Sequence, residues 1–449
     1  MEQNKIGLKE KLAYASANFG NIPIMTVING YLLIFYTNIC GLDPAACATL
    51  FLIARILDGL NDPLVGYVID HLPNTKFGRF RLPLIVGTVL TSLNFLLLWF
   101  GPMMATSGKL VIAYISYLLI GVLFPIMDIS LNSLLPVMTT DIQERNTLSS
   151  IKGVVYAIGA LGFGVAAPLI LGNVSNKQGY VKLILIATTI IFIFSIIGTL
   201  GVRERVKPQV GKRYGIKELF KFLLQKPVYI TFITVLLFTI GNNIVSTTNT
   251  FFFTYIMGSL ELLSIATLVT CVTLIFGTIL VGKLVVKHGK KKMFLIGLAI
   301  VGFASIIRLL DVRSVPLLLL SSAITGIGSG FVSPLIYGIQ ADNTDYIELK
   351  MNQRAEGAVA SLSSFVSKCA AGIGGAIPGY LLTFAKFDSA ASIQSSSVHT
   401  VIILCTLVIP TIIYFIGVVI FGKGYSITKE KLDEQNTLLA QRRSTKMND

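Results

Sequence analysis

Long apolar runs alternate with short polar stretches along the whole chain, and the pattern predicts twelve helical spans. They cover roughly 11–37, 44–70, 82–101, 109–138, 150–172, 181–202, 227–256, 262–284, 293–311, 315–340, 354–385 and 398–422. Each is near or above the ~20 residues that carry a helix across ~30 Å of hydrocarbon. The longest polar stretch between spans, 203–226, holds eight basic residues and divides the spans six and six. A faint repeat supports that division. GYVID followed by KFGR closes the second span, and GKLVVKHGK closes the eighth, its counterpart.

Two related six-helix halves fit the major facilitator fold, whose transporters are built from such repeats. The expectation is an all-α membrane protein with twelve transmembrane helices. Residues 1–202 form the N-terminal half, 203–226 a cytoplasmic linker, 227–422 the C-terminal half and 423–449 a cytoplasmic tail. That tail reads equally as an amphipathic helix or as solvated chain.

Composition agrees. Of 449 residues 53% are apolar and 13% charged, against about 25% charged in a soluble domain. Twenty-nine of the 37 Lys and Arg fall on the side holding both termini, and six on the other. Basic loops stay in the cytoplasm, so both termini are expected there, in a multi-pass protein of the plasma membrane. The same rule accounts for the net charge of +15 without nucleic acid as a partner. Cys40, Cys47, Cys271, Cys369 and Cys405 lie in or beside apolar runs and read as free thiols rather than a disulfide framework. His71, His288 and His399 are too scattered for a zinc site. GIGSG at 326–330 and GIGG at 372–375 follow no strand, so they are close-packing stripes rather than nucleotide loops. Trp99, the sole Trp, is expected as an interface anchor.

The second span carries Arg55, Asp58 and Asp62 within eight residues. Arg55 and Asp58 lie about 60° apart on a helix, Asp58 and Asp62 about 40° apart, so all three share a face with Asn61 beside them. An ionised side chain at mid-bilayer costs ~2.5–3.5 kcal/mol even on the mild insertion scale. Deep in the spans Asp58, Asp62 and Asp128 oppose only Arg55 and Lys368, which leaves one negative charge. Such a site binds a proton or a cation. Asp58, Asp62 and Asn61 are therefore the candidate site for H+ or Na+, supplied by hard oxygen ligands. An Arg–Asp clamp between helices is the competing structural reading.

Asp128, in FPIMDISLNSLLP, stands between Pro125 and Pro136, which suggest a loosened helix. Lys368, in FVSKCAAGIGGAIPG, belongs to the other half, so attraction between it and the acids makes both coupling candidates along with Arg55. In GNNIVSTTNTFFFTY, Asn242, Ser246 and Asn249 share one helical face and suit a polyhydroxylated solute; ordinary interhelical polar contacts fit equally well. Asp70 near Arg79 and Arg81 suggests a latch on one membrane face, against plain topology-setting charge.

These residues resemble a known family. ARILDGLNDPLVGYVIDHLPNTKFGRFRLP is similar to the second-helix signature of the glycoside–pentoside–hexuronide:cation symporters, the group typified by melibiose permease. AYASANFGN, YTNICGLD, IMDISLNSLLPVMTTDIQER, ADNTDYIELKMNQRAEG and VSKCAAG extend the resemblance from residue 11 to about 425. It implies a secondary symporter that takes up a sugar, glycoside or uronide by alternating access. It places Asp58 and Asp62 at the cation-site carboxylates, with Asn61 the polar position between them. Asp128 matches an acid tied to sugar binding and coupling, Lys368 a lysine near the cation site, and Lys152 lies close to a sugar-site arginine. Three departures stand out. Asn21-Ile22 replaces a Lys-Asp pair, Asn132 replaces a stacking Trp, and Pro125 replaces a Thr that helps hold Na+. They argue against a galactoside and turn the balance toward proton coupling. The implied partners are one small solute and the bilayer, with no cofactor and the chain as monomer. The rival readings are a proton-coupled exporter or lipid-handling carrier on the same fold, a non-transporting membrane sensor, and a membrane enzyme, for which no nucleophile–base pair is placed.

Overall fold

The computed structural model describes residues 6–73, 77–139, 141–205, 221, 224–351, 356–389, 391 and 393–448. Among these the chain forms twelve long helices and a further one at its end. They are α1 (Leu8–Asn38), α2 (Pro44–His71), α3 (Arg81–Met104), α4 (Lys109–Met138), α5 (Ile142–Leu171), α6 (Lys177–Gly201), α7 (Lys226–Phe251), α8 (Glu261–His288), α9 (Lys290–Leu309), α10 (Val315–Met351), α11 (Glu356–Phe384), α12 (Ser396–Gly424) and α13 (Lys429–Asn448). A π-turn, Phe252–Ile256, continues α7, and another, Leu404–Val408, lies inside α12. Eleven of these helices are long and apolar enough to cross a membrane. The tail is helical. Most of the expected linker lies outside the described residues.

The helix starts follow local chemistry. The carboxylates of Asp43 and Asp141 and the amide oxygen of Asn176 accept from the first free N–H groups of α2, α5 and α6, satisfying donors with no partner inside the helix. Pro44 follows Asp43 at the first helical position, where its missing N–H costs nothing.

The chain divides into two compact units. The first comprises Met1–Gly211, Asn249–Ser264 and Gly375–His399; the second comprises Lys212–Thr248, Ile265–Gly374 and Thr400–Asp449. In the first unit α1 packs on α5 and α6, α3 on α4 and α6, and α2 on α4. Lipid offers little hydrophobic drive for such pairs, so close van der Waals approach through small residues sustains them. A Cβ on Gly198 would overlap the Ala17 backbone, and one on Gly87 would stand 2.8 Å from Met127 N. The Trp99 ring meets Phe35 edge-on at 4.9 Å, and Phe35 meets Tyr180 at 4.9 Å. Trp99 is fully buried. This corrects the interface-anchor expectation: the ring faces its own helix bundle, because α1 and α6 supply aromatic partners there.

The Asp70 side chain of the expected latch lies outside the described residues. The side chains of Arg79 and Arg81 donate to the carbonyls of Leu72, Thr199 and Leu200. Among the described residues, the Glu204 carboxylate accepts from the backbone N–H groups of Arg79, Phe80 and Arg81 at 2.9 Å each.

In the second unit α9 packs against α10 and α12. Phe421 stacks on Tyr425 at 4.5 Å, and Phe294 meets Phe421 at a tilt at 4.8 Å. The GIGSG glycines work as close-packing positions, since a Cβ on Gly330 would overlap the Leu274 carbonyl of α8 and one on Gly328 would reach 3.0 Å from Gly297 O of α9. α13 is tied to two helices by side-chain hydrogen bonds. Gln435, buried, donates to the Asp342 carbonyl at 2.9 Å, and Lys429 donates to the Val286 carbonyl at 2.9 Å. Lys290 pairs with Asp342 at 2.6 Å alongside.

Candidate solute and coupling site

Two polar clusters form within the first unit, both along one face of α1. The first is built on α2. Arg55 and Asp58 lie one turn apart and pair at 3.2 Å, each more than nine-tenths buried. Arg55 also donates to the Asn29 side-chain oxygen at 3.3 Å and to the Met25 sulfur at 3.7 Å, both on α1. Asn61 donates to the Gly121 carbonyl of α4 at 3.0 Å. Gly121 is required there: a Cβ would overlap the Asp58 carboxylate. Tyr117, one turn earlier on α4 and buried, interacts electrostatically with both Arg55 and Asp58.

The second cluster centres on Asp128 of α4. Asn21 donates to one carboxylate oxygen at 2.6 Å and Asn132 to the other at 3.0 Å. Asn21 also reaches the Tyr156 hydroxyl at 3.2 Å. Lys152 donates to the Asn132 side-chain oxygen and stands 5.8 Å over the Tyr156 ring. A carboxylate, two amides, a phenol and an ammonium therefore converge from α1, α4 and α5. Asn132 and Tyr156 are exposed within the unit, whereas Asn21 is buried. Such a set suits a polyhydroxylated molecule, because an ionised carboxylate accepts two hydroxyls while the ammonium and amides serve its oxygens.

Of the residues the sequence singles out, the structure brings Asn21, Asp128, Asn132 and Lys152 together, and pairs Arg55 with Asp58 beside Asn61. The Asp62 side chain lies outside the described residues. Asn242, Ser246 and Lys368 belong to the second unit, and Asn249 to the first, so the α7 polar face is shared between units. The Asn242 oxygen accepts from Tyr414 at 3.2 Å. Sequence reasoning missed Tyr156, Asn29 and Gly121. Tyr156 had a signal, one turn past Lys152. Gly121 had none, since only the neighbouring backbone shows why it lacks a side chain.

A family model described as MFS/sugar transport protein matches residues 13–429. The chain belongs to this family. It is a multi-pass membrane transporter and not an enzyme. Among similar proteins, the isoprimeverose transporter of Lactiplantibacillus pentosus is 32% identical over 85% of this chain and 81% of its own. The glucuronide carrier protein homolog of Escherichia coli (strain K12) is 29% identical over 78% of each. A crystal structure of the nucleoside transporter NupG superimposes with a TM-score of 0.67 at 14% identity, covering 92% of this chain and all of that one (100%); it speaks for the fold alone.

Proposed function

We propose that the protein is a proton-coupled symporter that takes up a glycoside or uronide by alternating access. The observation that carries this reading is the Asp128 cluster, where each carboxylate oxygen meets an amide and Lys152 stands one residue beyond. Sugar hydroxyls replace those amide contacts on Asp128, and Lys152 receives a ring or carboxylate oxygen of the solute. The names of the relatives, an isoprimeverose transporter and a glucuronide carrier homolog, support a xyloside or a sugar acid over a galactoside.

The Arg55–Asp58 pair is the proposed coupling centre together with Asn61; Asp62, on the same helix, and Lys368, in the second unit, remain coupling candidates on the strength of the sequence. A guanidinium already neutralises Asp58 at 3.2 Å. Sodium needs several oxygen ligands, whereas a proton needs a single carboxylate oxygen, so the pair favours H+. One charge crossing 100 mV supplies ~2.3 kcal/mol, enough for roughly 50-fold accumulation. The protein works as a monomer in the plasma membrane with both termini cytoplasmic.

The test is uptake by proteoliposomes of labelled xylosides and glucuronides under an imposed pH or Na+ gradient. Uphill uptake driven by the pH gradient, lost in Asp128→Asn, supports the proposal. Uptake that follows only the sodium gradient rejects the proton, and uptake of an apolar compound instead of sugars favours the exporter or lipid-carrier reading.

A further inference from the structure

The polar face of α1 does not stop at the two clusters. Glu10, Tyr14, Asn18, Asn21, Met25 and Asn29 recur every three or four residues and fall within about 100° of helix arc. Asn29 and Met25 meet Arg55, and Asn21 meets Asp128. At the other end, Glu10 is buried and paired with Arg205 at 2.7 Å. Between these ends lies an irregularity. The Tyr14 hydroxyl, the Asn18 side-chain oxygen and the Asn21 side-chain oxygen are all buried, and none meets a hydrogen-bond partner among the described residues. Tyr14 and Asn18 are fully buried and Asn21 is 3% exposed. The Tyr14 and Asn18 side chains stand within interaction range of each other, and Tyr14 interacts electrostatically with Tyr156, but among the described residues no hydrogen bond of ordinary length and angle closes on these oxygens.

Buried polar atoms are almost always satisfied, by protein or by bound water. Successive turns of one helix face set side chains about 5–6 Å apart, the distance that one bridging water spans with two hydrogen bonds. We propose that this face of α1 holds a file of bound waters running from Asp128 to Glu10, and that the coupling proton leaves along it. The second half of the proposal rests on the proton-coupled reading above. The route covers about 16 Å of helix rise. The proton leaving the Arg55–Asp58 centre is taken up by the Asp128 carboxylate once the solute has left it; Asp128 passes it to the first water, each water gives one onward, and Glu10 takes the last before bulk solvent removes it. The Tyr14 hydroxyl accepts one proton as it donates another, while the Asn18 and Asn21 amides orient the waters without changing charge.

Radiolytic hydroxyl labelling of the full-length protein reads such waters directly, because radicals formed on bound water modify the nearest side chain. Tyr14 is expected to label at least about tenfold faster than Tyr36, which is equally buried but satisfied by the Leu98 carbonyl, since only the former contacts bound water. Asn18→Leu should slow Tyr14 labelling and reduce solute-driven proton influx, while solute exchange at equal concentrations continues. Equal, slow labelling of Tyr14 and Tyr36 in the unaltered protein overturns the file without any variant. Fast Tyr14 labelling with unaltered proton influx in Asn18→Leu overturns its role as the proton route. Absence of solute-driven proton movement in the unaltered protein refutes the coupling reading instead, and leaves the labelling contrast to decide the file alone.

Discussion

Arg55 and Asp58 form a buried ion pair one turn apart on α2. Removing one partner of a buried pair typically costs ~3–5 kcal/mol, whereas replacing both with apolar residues of similar volume is often neutral. Arg55→Met is therefore expected to lower the melting temperature in detergent markedly, and Arg55→Met with Asp58→Leu to recover most of it. A double variant as unstable as the single one would deny that the pair is isolated enough to be coupled in this way. At Asp128 the expectation concerns affinity. Each hydrogen bond to a charged group contributes ~1.5–3 kcal/mol, so Asp128→Asn should weaken solute binding by about 10–100-fold for each solute hydroxyl it no longer holds, as titration calorimetry with the transported sugar would record. The charged residues were legible in the sequence because ionised groups are rare in apolar runs. Asn29, Tyr156 and Gly121 were not, because their roles depend on which helix lies opposite.

Helices in this protein approach through glycine, and their ends are held by side chains from elsewhere in the chain. Gly121 illustrates the first point: even Gly121→Ala places a methyl against the Asp58 carboxylate. That variant should insert normally and yet lose pH-gradient-driven uptake more than solute exchange, as parallel transport assays would show. Glu204 illustrates the second. It accepts three N–H groups at the start of α3, and loss of a cap costs ~0.5–2 kcal/mol. Glu204→Ala should therefore destabilise the first unit, seen as faster proteolysis near residues 77–81. The sequence suggested a latch between Asp70 and the nearby arginines. The side chain of Asp70 lies outside the described residues, and charge proximity along the chain could not show that a carboxylate more than a hundred residues later reaches the backbone here. Element existence was readable throughout, since span length and apolarity dominate in lipid. The caps at Asp43, Asp141 and Asn176 were equally local. The two π-turns, in α7 and α12, left no comparable mark on the pattern.

On the scale of the whole molecule, the chain crosses between its compact units in the stretch between the sixth and seventh spans and then inside α7 near Thr248, α8 near Ser264, α11 near Gly374 and α12 near His399. The apolar pattern shows only where helices begin and end, so the crossings inside helices were invisible to it. The same holds for the polar face of α7, read as one set but divided between units. Gly374 has little tolerance: a Cβ would stand 2.7 Å from the Ile240 carbonyl and 2.7 Å from the Asn243 side chain. Gly374→Val is expected to abolish transport while Gly375→Ala, whose Cβ meets open space, retains it; transport assays at matched expression would separate the two.

The docking of α13 carries a consequence for biosynthesis. Gln435 fastens α10 at Asp342 and Lys429 the last turn of α8, and both follow the twelfth span, so they leave the ribosome after it. A transcript stopped at codon 428 would yield a chain with every span already inserted but without that fastening. Such a product would reach the bilayer in normal amount and then be recognised by quality-control proteases where α13 no longer covers α8 and α10.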